Sequence, residues 1–269
     1  MTFRDKSAEE IIKLAKDADL QAIEWAGDAH VPISNKEHAE RIGKLTRDAG
    51  LDVSSYGSYF YAGSGEPFEP YIETARALGT NAIRVWAKKM DFKKEVNKIN
   101  EDEFATVVKD LKLAAKKAHA FDISLHIEWH QGTYTDSTES ALRLLNEIDA
   151  ENVFLYWQPL AYLSPNECLK QIKDLGDAIS NVHVFHWDEE RKRHPLADGI
   201  EEWQAYINQV ETHSSTTHYY LMEFVKDNAD AQFAEDVEIF KGFRVSDLAF
   251  LMSNDGCNNW SKDKFTRLA

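Results

Sequence analysis

Short apolar or alternating runs recur along the chain at residues 1–3, 22–25, 51–59, 82–87, 123–129, 153–158, 182–187 and 219–225. Their length and their Val, Ile and aromatic content predict strands. Between and after these runs, apolar residues return at helical spacing over 8–16, 36–49, 69–78, 103–120, 139–148, 165–175, 201–210 and 231–243. That spacing predicts amphipathic helices, so strands and helices alternate one for one.

Signals at the helix ends agree with this reading. Ser7, Ser34, Ser164 and Asp198 are each followed three residues later by Glu, the pattern of a capping box. Gly50 and Gly79 stand where a left-handed C-terminal cap is expected. Eight βα units at roughly 30-residue intervals predict a single (β/α)8 TIM barrel, one domain spanning residues 1–269. Its weakest unit is the first strand, which has three residues. An open doubly wound sheet would carry a Gly-rich phosphate turn after its first strand. The sequence has none, and no nucleotide cofactor is expected.

Three predicted strands place a charged or imidazole side chain in an otherwise apolar run. They are Leu-His-Ile-Glu128-Trp-His, Asn-Val-His183-Val and Leu-Met-Glu223-Phe. A buried, isolated carboxylate costs several kcal/mol even after relaxation, so Glu128 and Glu223 each require a partner, a proton or a metal. Period-two geometry puts His126, Glu128 and His130 on one strand face, and Asn181, His183 and Phe185 on another. A barrel gathers such residues at the C-terminal strand ends. Each one alone is equally well read as structural, Glu128 paired with a barrel Arg or Lys and His183 as a hydrogen-bonded core histidine. Together, two carboxylates and an imidazole form a mixed O/N site suited to one divalent cation, Mn²⁺, Mg²⁺, Zn²⁺ or Co²⁺.

With the opening Ala-Ile-Glu-Trp-Ala-Gly-Asp-Ala-His30, these motifs resemble those of the xylose isomerase-like barrels, which include sugar-phosphate isomerases and epimerases. The resemblance runs over essentially the whole chain. It implies a cation held by Glu, Asp, His and Glu from four strands, three of which fall on Glu128, His183 and Glu223. The expected Asp falls on Gln158, whose amide oxygen can coordinate but adds no charge. The His that often follows that Asp falls on Ala161, and the second Glu of ketose 3-epimerases falls on Tyr134. These departures weigh against a ketose epimerase in particular. The resemblance further implies that the cation binds neighbouring carbonyl and hydroxyl oxygens of a sugar and lowers the cost of an enediolate. Glu128 and Glu223 then act as the proton-transfer pair, with Glu223 the better base.

Other candidates follow from position. His30, His126, His130 and Trp86 are candidate substrate contacts, each with a packing or loop role as the alternative. Arg191 and Arg193, in Arg-Lys-Arg-His194, could receive a substrate phosphate or carboxylate, or could balance Asp188, Glu189 and Glu190 in a solvated turn. Glu24 and Arg84, both mid-strand, are expected to neutralise each other. Trp25, Trp86, Trp129, Trp157 and Trp187 could line a pocket for the apolar face of a sugar ring or serve as barrel packing.

Composition narrows the partners. Net charge is −15, from 46 acidic and 31 basic residues, which repels phosphate backbones and argues against nucleic acid. No run approaches the roughly 20 apolar residues of a membrane span. The cysteines, Cys168 and Cys257, imply no disulfide, and with no signal-like segment ahead of the first helix they point to a reducing cytoplasm. The expected function is a cytoplasmic, metal-dependent isomerase or epimerase of a small sugar or sugar derivative. The alternatives are an inosose-type dehydratase using the same groups and a non-catalytic sugar-binding barrel. A three-zinc apurinic endonuclease would need many more His, Asp and Glu ligands and a surface less hostile to DNA.

Overall fold

Seven parallel strands form one sheet in chain order: β1 (Ala22–Ala26), β2 (Asp52–Tyr61), β3 (Ala82–Trp86), β4 (Ser124–Ile127), β5 (Val153–Trp157), β6 (Ile179–Val184) and, after a small hairpin, β9 (Tyr220–Met222). The computed structural model describes residues 2–91 and 98–243. The helices α1 (Ala8–Asp17), α2 (Lys36–Asp48), α3 (Glu69–Leu78), α4 (Glu101–His119), α5 (Thr138–Ile148), α6 (Pro165–Leu175), α7 (Ile200–His213) and α8 (Asp230–Gly242) cover the outside. The result is a nearly closed (β/α)8 barrel, open between β9 and β1.

The apolar packing lies between the sheet and the helices. Ile83, Val85, Leu125, Ile127, Leu155 and Val184 are fully buried between strands and helices. Such two-sided coverage explains why the strands read as near-continuous apolar runs. Inward positions are more polar, and this is where the site forms. No helix among the described residues is long and apolar enough to cross a membrane.

Local signals behave as their chemistry dictates. Ser7 with Glu10 and Ser164 with Glu167 form full capping boxes. Gly79 caps α3 in the left-handed region (φ 87°), and Gly50 follows α2 at φ 83°.

Four local expectations are corrected. Thr2 and Phe3 form no strand, because Phe3 takes φ 58° and turns the chain; Met1 lies outside the described residues. Ser34 takes φ 66°, which leaves Asn35 to cap α2 by accepting from the His38 amide. Asp198 lies within a 3-10 turn (Leu196–Gly199) that runs into α7, so α7 has no side-chain cap. The predicted strand 182–187 divides at Phe185 into β6 and a two-residue strand β7 (His186–Trp187), which pairs antiparallel with β8 (Arg193–His194).

Candidate active site

Glu128, Gln158 and Glu223 each stand one residue beyond the C-terminal end of their strands, β4, β5 and β9, and His183 is the penultimate residue of β6. This is the rim at which barrel chemistry gathers. The backbone fixes two of the positions, since the Glu128 amide donates to Val85 O at 2.8 Å and the Glu223 amide to Val184 O at 2.9 Å.

The four side chains meet at one ring nitrogen. His183 Nδ1 lies 2.9 Å from Gln158 Oε1, 3.4 Å from Glu128 Oε1 and 3.4 Å from Glu223 Oε2. Arg84, inward on β3, donates from Nη1 to Glu128 Oε2 at 2.9 Å and places Nε 3.5 Å from Glu24 Oε1. The expected Glu24–Arg84 neutralisation is therefore part of a larger cluster of three carboxylates around one guanidinium and one imidazole. Gly57 makes room for it, because a Cβ there would stand 3.0 Å from Glu24 Oε1 and 3.1 Å from Arg84 Nη2.

Electrostatics follow from the geometry. Burial acts to lower the basicity of His183, but Glu223 and Glu128 outweigh it and raise the ring to about 10, so in the absence of a cation it is an imidazolium. Burial acts to raise the Glu128 carboxyl, but Arg84 and then His183 outweigh it and hold the group well below the usual carboxylate range. Glu24 is lowered to about 2, with Arg84 the main cause opposing burial.

Among the described residues, no group of three or more His, Cys, Asp or Glu side chains forms a preset cation cage. Gln158 adds no charge to the set, and Arg84 occupies one oxygen of Glu128. The donor set nevertheless fits a divalent cation on two counts. Separations of 2.9–3.4 Å around Nδ1 match the edges of about 3.0–3.5 Å that metal–donor bonds of roughly 2.1 Å imply. The charges also balance, since three carboxylates against Arg84 leave two negative charges once His183 is neutral. Glu128, Gln158, His183 and Glu223 would hold the ion.

Other predicted residues separate into those at the mouth and those beneath it. Trp86 lies beside Tyr59 (6.0 Å between ring centroids), Tyr61 (5.9 Å) and His130 (5.2 Å), forming an aromatic wall above Arg84. Opposite elements bring Phe185, Trp187 and Phe224 together at 4.5–5.2 Å. His30 lines a cavity of about 110 Å³ that also includes Glu24, Arg84, His183, Glu223 and apolar residues of α1 and β9. His126 is not brought to the mouth. It sits two residues below Glu128, buried between Ser124 Oγ (2.8 Å) and Ser180 Oγ (2.7 Å) at the starts of β4 and β6.

Arg191 reaches across the mouth to Gln131 Oε1. Arg193 is turned to Asn228 Oδ1 (2.9 Å) and the Phe224 ring (5.1 Å). Asp188 is balanced by His194 at 2.9 Å. Trp25, Trp129 and Trp157 are packing residues: Trp25 donates to Thr46, Trp157 packs on Trp203 and Tyr206, and Trp129 is wholly buried. Tyr134 is structural too, its hydroxyl donating to Glu103 at 2.6 Å. Sequence reasoning missed Ser55, Tyr156, Tyr59 and Tyr61 as neighbours of the cluster. Their inward parity on β2 and β5 was the available signal.

A barrel with buried polar side chains at its C-terminal rim defines the structural class, and the sequence places it further. Residues 12–243 match the xylose isomerase-like TIM barrel family, and the chain belongs to it. No curated protein matches the sequence significantly. Among solved structures, the fold is similar to the probable 3-DHS dehydratase AsbF of Bacillus anthracis (TM-score 0.74, 18% identity, covering 89% of this chain and 96% of that one). It is also similar to an L-ribulose 3-epimerase (TM-score 0.71, 16% identity, 94% of each chain) and to the IolI protein with a bound zinc atom (TM-score 0.67, 14% identity, 91% and 94%).

Proposed function

We propose that the protein is a divalent-metal-dependent enzyme that isomerises or epimerises a small sugar or sugar derivative by moving a proton through an enediolate. The carrying observation is the convergence of Glu128, Gln158 and Glu223 on His183 Nδ1. Family membership and the likeness to an epimerase and to a zinc-containing barrel support the same reading. A bound cation supplies charge stabilisation for the oxygens of an enediolate.

The chain's own residues divide the remaining work. Arg84 keeps Glu128 ionised and a poor proton acceptor, so Glu128 serves chiefly to hold charge at the rim. Glu223 is assigned the proton transfer, from a rim position facing His183. Trp86, with Tyr59, Tyr61 and His130, offers an aromatic wall against which the apolar face of a sugar ring packs. Arg191, across the mouth, is placed to meet an anionic substituent. The acidic chain fits a small-molecule substrate better than a nucleic acid, and a reducing cytoplasm suits it.

A lyase reading is favoured by the likeness to AsbF, because proton abstraction by the same groups followed by loss of a hydroxyl gives dehydration. One experiment addresses both. Manganese-loaded protein is incubated in D₂O with a panel of ketoses, aldoses, inososes and 3-DHS, and products are analysed by mass. Deuterium incorporation without water loss supports isomerisation or epimerisation, and loss of 18 Da on the order of one water supports the lyase. Neither across the panel overturns the enzyme reading in favour of a sugar-binding barrel.

A further inference from the structure

The charge that Gln158 does not supply has a counterpart on β1. Glu24 Oε1 lies 3.8 Å from His183 Nε2, within ion-pair reach, while Nδ1 of the same ring faces Gln158, Glu128 and Glu223. The two nitrogens of His183 therefore face separate partners on opposite sides of the ring. Glu24 is itself fixed from behind. Ser55 Oγ donates to Glu24 Oε2 at 2.5 Å, and Tyr156 OH donates to Ser55 Oγ at 2.9 Å. The Tyr156 ring stands edge-on to His183 at 5.2 Å, limiting the tilt of the imidazole. Ser55, Tyr156 and His183 are all buried, so solvent does not compete for these contacts.

A carboxylate held at the outer nitrogen of an imidazole selects the tautomer and raises the basicity of the inner nitrogen. We propose that Glu24 is the positioning residue of His183, holding Nε2–H so that the Nδ1 lone pair faces the cation, and supplying through the ring the negative charge missing at Gln158. This rests on the metal-binding reading of the rim. It also gives Glu24 a role distinct from balancing Arg84, since Arg84 and His183 approach the same carboxylate from different strands.

The test compares Mn²⁺ affinity, by calorimetric titration, in wild-type protein, Glu24→Gln and Glu24→Asp. Long-range ¹⁵N–¹H spectra of the zinc-loaded proteins report the His183 tautomer. Expected are a roughly 10- to 100-fold loss of affinity in Glu24→Gln, partial recovery in Glu24→Asp, and an Nε2–H signature in the wild type that weakens in Glu24→Gln. Should Glu24→Gln not fold, Ser55→Ala carries the same comparison, because it loosens Glu24 without changing the charge count. Wild-type binding with unchanged affinity and tautomer in the variants, whatever their stability, overturns this inference and leaves the metal reading standing. Absence of Mn²⁺ binding in the wild type overturns both.

Discussion

Arg84 Nη1 donates to Glu128 Oε2 at 2.9 Å, and both side chains are buried. The guanidinium is thus the charge that allows three inward carboxylates to coexist in the barrel. Replacing it by Met leaves three carboxylates against the His183 imidazolium alone, and breaking a buried pair from one side typically costs about 3–5 kcal/mol. Urea denaturation of metal-free Arg84→Met should show a loss of that order, with part of it regained on adding Mn²⁺. A loss under about 1 kcal/mol, typical of an exposed pair, would contradict this role.

Gln158 is the second lever on the same cluster. Its Oε1 accepts from His183 Nδ1 at 2.9 Å, where a carboxylate would add charge to the donor set. Gln158→Asp should bind Mn²⁺ at least about tenfold more tightly. The metal-free variant should be less stable than wild type, because a fourth carboxylate joins the cluster, and saturating metal should reverse the order. At 100 times the dissociation constant the metal adds about 2.7 kcal/mol. Unchanged affinity by calorimetry would remove Gln158 from the ligand set.

How much of this was legible in the sequence depends on the kind of signal. Strand and helix order follows from apolar period. Glu128, His183 and Glu223 stand out because each interrupts a run that burial would otherwise make uniform. Arg84 is equally visible in its run, but its partner is set by strand stagger. Its register neighbour on β4 is His126, and Glu128 lies one inward position higher. Register of this kind is not carried by either strand alone. His126 lies below the rim for a related reason, since inward parity does not say how far up the barrel a residue sits. The first strand was overread because three alternating residues do not outweigh a turn at Phe3.

Away from the rim, Asp236 on α8 provides a check on the electrostatics of packing. It is buried, accepts from the Leu196 amide and Gln232 Nε2 at 2.9 Å, and has its pKa raised chiefly by burial, against those two hydrogen bonds. A carboxyl whose folded pKa exceeds its unfolded value contributes stability below the unfolded pKa and loses it as pH rises through the folded one. Asp236→Asn keeps an acceptor for both donors and removes the charge. It should raise Tm at pH 7, and the advantage should vanish below the unfolded carboxyl pKa of about 3.9. Equal or lower stability of Asp236→Asn at pH 7 would contradict the sign.

Cys168 bears on handling of the protein. It is buried, and burial pushes its thiol up to about 11. At pH 8 only about one thiol in a thousand is then ionised, so a Cys257→Ser variant should react with a disulfide reagent far more slowly when folded than in urea. Rapid reaction of the folded variant would show that the packing of α6 around Cys168 is looser than described.

Glu128, Gln158, His183 and Glu223 are proposed to hold one divalent cation. Mn²⁺ binding followed by electron paramagnetic resonance, in wild type, His183→Ala and Glu223→Gln, tests that proposal most directly. One bound ion per wild-type chain is expected, with a loss of affinity of at least about tenfold in each variant. Wild-type protein that leaves added Mn²⁺ wholly free, or variants that bind it as tightly as wild type, would contradict it.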